Sequence, residues 1–269
     1  VLIPSFNKEK IRLHSITSET GVSAAIIGKK HDFLYASSDP YELLSNEEIN
    51  TVVIATRHDS HSELVIESLK NNKHVFVEKP LALTTESLDA LKEASQDIKT
   101  QLMVGFNRRF SPLVLKMKDL LEEVSNKKSC LITVNSGFIP NDHWTQDEKI
   151  GGGRIVGEAC HFIDLMKYLI GASIVSIQTS GFNFLDKDSP NDNASITISF
   201  DDGSFGTIMY LSNGSSNFPK ERIEVFSDGK ILQLDNFRKL SGFGWKDFKS
   251  MSSFKQNKGQ TEAIRAFVK

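Results

Sequence analysis

The chain has 269 residues, with 32 lysines plus arginines against 34 aspartates plus glutamates, a formal net charge of −2. That balance argues against a nucleic-acid wrap or a polybasic membrane anchor. Apolar residues make up 39% and charged residues 25%, a globular composition, and a prior of roughly 150 residues per domain gives two domains.

No stretch of about 18 uninterrupted apolar residues occurs, so no membrane span is expected. No basic segment followed by an apolar run opens the chain, so no signal peptide is expected either. Two cysteines, Cys130 and Cys160, do not make a disulfide framework and point to a reducing compartment, the cytoplasm. The first residue is Val1, and the chain closes inside the apolar pattern Ala263, Ile264, Ala266, Phe267, Val268. That ending reads as a helix cut mid-turn, so the sequence is expected to be part of a longer polypeptide.

Over residues 1–105, short apolar runs alternate with helical patterns. Residues 11–16 suit a strand, and Thr51-Val52-Val53-Ile54-Ala55 is a β-branched run. Residues 60–71 carry Leu64, Val65 and Leu69 at helical spacing, and residues 74–77 are strand-like. Thr84 or Thr85 suits the cap of a helix holding Leu88, Leu91 and Ala94. Residues 101–105 form another apolar run. Such alternation predicts right-handed crossovers, a parallel sheet and helices on both its faces.

From Phe106 the pattern changes. Ser111-Pro112 opens a helix with Leu113, Met117, Leu120, Leu121 and Val124 on one face. Strands are predicted at 130–138, 174–184, 193–200, 204–211, 222–226 and 231–234. The turns Asp201-Asp202-Gly203 and Asp228-Gly229 are hairpin signals, so an antiparallel sheet is expected. A helix over 158–170 interrupts it, and residues 246–258 read as a polar loop. Ligands of a parallel sheet of the first kind bind at the carboxyl ends of its strands.

Four segments suit chemistry. In His74-Val75-Phe76-Val77-Glu78-Lys79-Pro80 a strand ends in a charged pair and a proline, which presents Glu78 and Lys79 at the ligand edge. A lysine there favours a developing alkoxide; the same pair also suits a solvated ion pair at a strand end. Gly151-Gly152-Gly153-Arg154 precedes Gly157-Glu158 and His161. Glu158, His161 and Asp164 repeat every three residues and are expected on one helix face, where Glu158 would tune His161 as a general base. A capped helix with a structural histidine explains the run as well. Thr56-Arg57-His58-Asp59-Ser60-His61 is a strand-to-helix loop that suits phosphate or ribose, or simply caps its helix. In Gly105-Phe106-Asn107-Arg108-Arg109-Phe110 the paired arginines suit a domain junction, an anion or a structural role. No metal-site spacing, P-loop, G-x-S-x-G or G-x-G-x-x-G occurs.

In order and spacing, TVVIATRHDSH, Glu78-Lys79-Pro80, GFNRRF and the glycine run followed by His161-x-x-Asp164 resemble the Gfo/Idh/MocA oxidoreductases, the glucose–fructose oxidoreductase and inositol dehydrogenase family. The run GGGRIVGEACHFIDL looks most like modules fused to an alcohol-dehydrogenase-like part and linked to surface-polysaccharide synthesis. The resemblance implies a Rossmann-like domain over 1–105, lacking its first strand and glycine-rich turn. It also implies an open antiparallel-sheet domain over 106–269 for substrate and dimerisation, hence a homo-oligomer. Val1-Leu2-Ile3-Pro4 matches the helix that follows the glycine-rich turn, so the turn itself is expected before residue 1.

The implied activity is hydride transfer between NAD or NADP and a sugar, cyclitol or sugar-derived alcohol or ketone. A dinucleotide- or sugar-binding sensor, or an assembly module of a larger enzyme, is the alternative. Lys79 is implied to contact the nicotinamide ribose and substrate, His161 to carry the proton, and a cis peptide to precede Pro80. Cofactor contacts fall on Thr17, Ser18, Thr56, Arg57, His61, Glu78, Lys79 and Asn107, substrate contacts on His143, Trp144 and Arg154. Two departures from the family pattern stand out. Gly157 occupies a position where aspartate is frequent. Ser15, Thr17 and Ser18 stand where an acidic residue selects NAD, which tilts the cofactor toward NADP although Glu19 is nearby.

Overall fold

The computed structural model describes residues 2–9, 11–96, 98–182 and 192–269. It divides into two units, residues 1–105 with 260–269, and residues 106–259. Among the described residues, no helix is long and apolar enough to cross a membrane.

The first unit runs α1 (Leu2–Lys8), β1 (Ser15–Thr17), α2 (Val22–Lys30), β2 (Tyr35–Ser37), α3 (Pro40–Ser45), β3 (Thr51–Ile54), α4 (His61–Lys70), β4 (His74–Val77), α5 (Thr85–Ala94) and β5 (Leu102–Val104). All its strand pairs are parallel, β1 with β2 and β3–β4–β5 in that order. Strand periodicity of two sends alternate side chains to opposite faces. Val75 and Val77 of β4 therefore pack with Val65, Leu69 and Leu91 of α4 and α5. Phe76, between them, packs with Phe6 of α1 and with Ile264 and Phe267 of the C-terminal helix Gln260–Val268. Helices thus cover both faces of the sheet. Thr84 caps α5 by accepting from the Ser87 amide. Residues 260–269, expected in the second domain, belong to the first unit, where Ile264 and Phe267 bury their apolar face.

The second unit contains α6 (Pro112–Glu122), β6 (Ser129–Asn135), α7 (Cys160–Ile170), β7 (Ile174–Gly181), β8 (Ala194–Phe200), β9 (Phe205–Leu211), β10 (Glu221–Ser227), β11 (Lys230–Asp235), β12 (Lys239–Phe243) and β13 (Ser250–Ser252). The eight strands form one sheet in the order β13-β12-β11-β10-β6-β9-β8-β7. Its pairs are antiparallel except β6 with β9, which run parallel in register from Ser129↔Phe205 to Asn135↔Leu211. The sheet is therefore mixed rather than purely antiparallel. A parallel pair needs a crossover connection, which α7, β7 and β8 supply. The stretch read as a loop also yields β13, which pairs with β12. Residues 183 and 184, the end of one expected strand, lie outside the described residues.

One sheet face carries Ile132, Val134, Ile196, Ile208, Ile223 and Leu232, buried with Met117 of α6 and Phe162, Leu165 and Met166 of α7. Gly206 allows that close approach: a Cβ there would lie 2.6 Å from Met166 Sδ and 2.7 Å from the Cys130 carbonyl oxygen. On the other face Phe205, Phe226 and Phe243 are 53, 42 and 53% exposed.

Candidate functional site

In the first unit, the carboxyl ends of β3 and β4 make one edge. The Glu78 amide donates to the Ile54 carbonyl at 2.9 Å, and the Gly105 amide to the Val77 carbonyl at 2.7 Å. Glu78 and Lys79 follow β4 directly and are half-buried, and the Lys79–Pro80 peptide is cis. A Cβ on Gly105 would stand 3.0 Å from Glu78 Oε2, so this glycine clears space for the carboxylate. From β3 come Thr56 and Arg57, both exposed, and Thr56 Oγ1 lies 2.6 Å from Ser60 Oγ. Hydroxyls, a guanidinium and an ammonium grouped at the carboxyl edge of a parallel sheet fit the ribose and phosphates of a dinucleotide.

His61 takes a different place from the one expected of it. It is fully buried, with Nδ1 2.8 Å from the Pro80 carbonyl oxygen and Nε2 3.2 Å from that of Thr56. Its ring braces the two loops of the edge from behind. Ser18 accepts from the Ala24 amide at 3.0 Å and so secures the start of α2, with Thr17 ending β1 beside it.

In the second unit, a five-residue π-helical turn, Ile155–Ala159, leads into α7. Glu158 accepts from Arg154 Nη2 at 3.1 Å, Tyr210 Oη at 2.5 Å and Lys220 Nζ at 3.0 Å. Burial pushes its pKa up, but the Lys220 charge and these three bonds outweigh it and hold the carboxyl at about 2. The Tyr210 hydroxyl is pushed up by burial and by that carboxylate.

Asp164 pairs with both Arg109 Nε, at 3.0 Å, and Arg109 Nη2. Burial raises its pKa against the pull of Arg109. Arg108 reaches Glu221 through two bonds of 3.2 and 2.9 Å and lies 4.8 Å from the centroid of the Phe162 ring. Both arginines of the GFNRRF segment thus serve carboxylates within the second unit. His161, 5% exposed, has its ring edge-on to Phe106 at 6.0 Å.

Arg154 was expected to line a substrate pocket. It is 3% exposed and donates to the Gly137 carbonyl at 2.5 Å as well as to Glu158, so it holds the cluster together. Asn107, expected at a cofactor, donates its amide to the Lys258 carbonyl at 2.6 Å. His143 is exposed, bonded to Thr145 Oγ1 at 2.8 Å and near the half-buried Trp144 ring. Gly151 backs onto that loop: a Cβ would come 2.4 Å from Thr145 Cα. Tyr210 and Lys220 were not singled out from the sequence. Nothing near either residue marks it, because its importance comes from a partner more than 50 positions away. No group of three or more metal-ligating side chains occurs among the described residues.

A model of the oxidoreductase family with an NAD-binding Rossmann fold matches residues 5–106, and the GFO/IDH/MocA C-terminal domain matches residues 129–232. The chain belongs to the Gfo/Idh/MocA family. Its first unit is the NAD-binding Rossmann domain of that family. Myo-inositol 2-dehydrogenase of Thermotoga maritima is 28% identical over 210 residues, 77% of this chain and 62% of the relative. The scyllo-inositol 2-dehydrogenase (NAD(+)) of Bacillus subtilis is 32% identical over 179 residues, 64% of this chain and 51% of the relative. The chain thus spans between half and two thirds of the length of these Gfo/Idh/MocA proteins. A solved levoglucosan dehydrogenase, in complex with NADH and levoglucosan, shares the fold with a TM-score of 0.83 at 23% identity, over 95% of this chain and 79% of that one.

Proposed function

We propose that the chain belongs to an NAD(P)-dependent oxidoreductase that passes a hydride between nicotinamide and the CH–OH carbon of a sugar, cyclitol or sugar-derived alcohol. The observation that carries this reading is the placement of Glu78, Lys79, Thr56 and Arg57 at the carboxyl edge of the Rossmann sheet. A bound dinucleotide supplies the hydride acceptor or donor. The Lys79 ammonium orients the reacting hydroxyl oxygen and stabilises the charge that develops on it. His161 exchanges the hydroxyl proton, through Nε2 because Nδ1 is buried. Glu158, already held by three donors, keeps the turn before His161 in place.

The named substrates and cofactors of the relatives, inositols with NAD(+) and levoglucosan with NADH, support a polyol substrate and favour NAD over the NADP suggested by Ser15, Thr17 and Ser18. We place the protein in the cytoplasm on its two cysteines, which form no disulfide; burial pushes the Cys130 thiol up to about 12. Self-association through the outer sheet face is part of this reading. Phe205, Ser129, Phe226, Ile231 and Phe243 follow one another across the strands there as register partners. Fusion to an alcohol-dehydrogenase-like part and a place in surface-polysaccharide synthesis rest on the Gly151–Leu165 run alone.

The test is to mix full-length protein with NAD+, NADP+, NADH or NADPH and a panel of polyols and keto-sugars, and to follow nicotinamide absorbance. Turnover supports the reading. Dinucleotide or sugar binding without redox change overturns it in favour of a sensor.

A further inference from the structure

Two carboxylates in the second unit organise four cations. Glu158 takes Arg154 at 3.1 Å and Lys220 at 3.0 Å. Glu221, the residue after Lys220, takes Arg108 at 2.9 Å and Lys258 at 2.7 Å. Among the described residues, the ion pairs of this cluster therefore set four positive charges against two negative ones. Solvent screens this surplus poorly. The Glu221 side chain is 0% exposed, those of Arg108 and Arg154 are 7 and 3% exposed, and only Lys220, at 41%, reaches well into water. Crowding of like charge registers on Lys258. Burial lowers its pKa, Glu221 opposes this, and Arg108 and Lys220 add to the lowering. By contrast, Arg109 meets Asp164 one to one. Charge held out of water costs free energy unless an opposite charge matches it.

This surplus belongs to the segment that carries the proposed proton carrier. Arg154 and Glu158 flank the π-helical turn that runs into α7 and His161, and Arg108 stacks on Phe162. The neutral polyols named for the relatives bring no charge to match it.

We infer that the substrate is an anionic sugar, a polyol bearing a carboxylate or a phosphate, whose negative group is met by the Lys220 side of this cluster. The inference rests on the oxidoreductase reading for the word substrate, and on the charge count for the word anionic.

Calorimetric titration of the full-length protein tests it without requiring turnover. The probes are D-glucuronate, D-galacturonate and D-glucose 6-phosphate against D-glucose and D-galactose, each at low and at high salt. At least one acid is expected to bind about tenfold tighter than its neutral counterpart, an advantage that shrinks as salt screens it. Lys220→Gln is expected to remove most of that advantage and Lys220→Arg to keep it. The uronate and phosphate arms tell which anion fits. Neutral sugars binding as tightly as the acids, or an acid preference untouched by Lys220→Gln, overturns the inference. If thermal melting shows that Lys220→Gln does not fold, the wild-type salt series decides, and a preference that ignores salt overturns it. A protein that binds acids but never changes nicotinamide absorbance upholds the anion site and sinks the oxidoreductase reading.

Discussion

Tyr210 donates its phenolic hydrogen to Glu158 Oε2 at 2.5 Å, across 52 positions of sequence. The bond ties β9 to the turn that precedes His161. Phenylalanine fills the same buried volume without the hydroxyl, so Tyr210→Phe removes the bond to Glu158 together with the hydroxyl's contact to Ser136. A hydrogen bond to a charged group contributes about 1.5–3 kcal/mol, and urea unfolding of the variant is expected to show a loss of that size.

Acid sensitivity follows from the same carboxylate. The Glu158 pKa lies at about 2 in the fold against an ordinary 4.5. A group lowered on folding contributes stability above its unfolded pKa and loses it as pH falls through the folded one. Wild-type protein is therefore expected to lose stability between pH 4.5 and pH 2 more steeply than Glu158→Gln. Parallel pH profiles for the two proteins would count against this.

Breaking a buried ion pair differs from breaking an exposed one. Arg108→Met removes two bonds from Glu221, whose side chain is 0% exposed, leaves Lys258 to face it, and is expected to cost about 1.5–3 kcal/mol. Arg222→Met removes a bond to Asp235 between side chains 42 and 31% exposed and is expected to cost under about 1 kcal/mol. Denaturant midpoints measured side by side check the ordering.

The proton and charge roles predict that Lys79→Ala and His161→Ala each lower turnover by about 10²-fold or more in the full-length protein. Circular dichroism confirms that each variant folds. Wild-type rates in both remove the assigned roles.

If the outer sheet face joins subunits, a charge in its apolar row prevents it. Phe205→Asp, at a position 53% exposed, is expected to shift the protein toward monomer in analytical ultracentrifugation with its melting temperature nearly unchanged. An unaltered sedimentation profile rejects this face as the interface.

Local pattern carried much of the architecture. Residues 74–77 announce β4 because a short apolar run bounded by charge and proline has few other uses, and the structure gives His74–Val77. β13 is not visible in the sequence because Ser250-Met251-Ser252 joins the sheet through backbone bonds and its single apolar residue makes no pattern. Turn chemistry showed which strands form hairpins, but the parallel pairing of β6 with β9 is a long-range event that no turn encodes. The site divided in the same way. The place of Lys79 directly after β4 was legible because the apolar run ends at Val77, whereas Tyr210 and Lys220, the partners of Glu158, lie more than 50 positions from it.

From sequence alone came β3, α4, β4, α5 and α6, the change from alternating strands and helices to a strand-rich chain near residue 105, and the edge that bears Glu78 and Lys79, because each follows from periodicity and chain stiffness within a few residues. Tertiary structure alone decided that Gln260–Val268 returns to the first unit, that His61 braces loops from the interior and that Glu158 belongs to Arg154, Tyr210 and Lys220. Those outcomes are choices among distant partners, made by burying apolar area and pairing charge in three dimensions, and neighbouring residues hold no record of them.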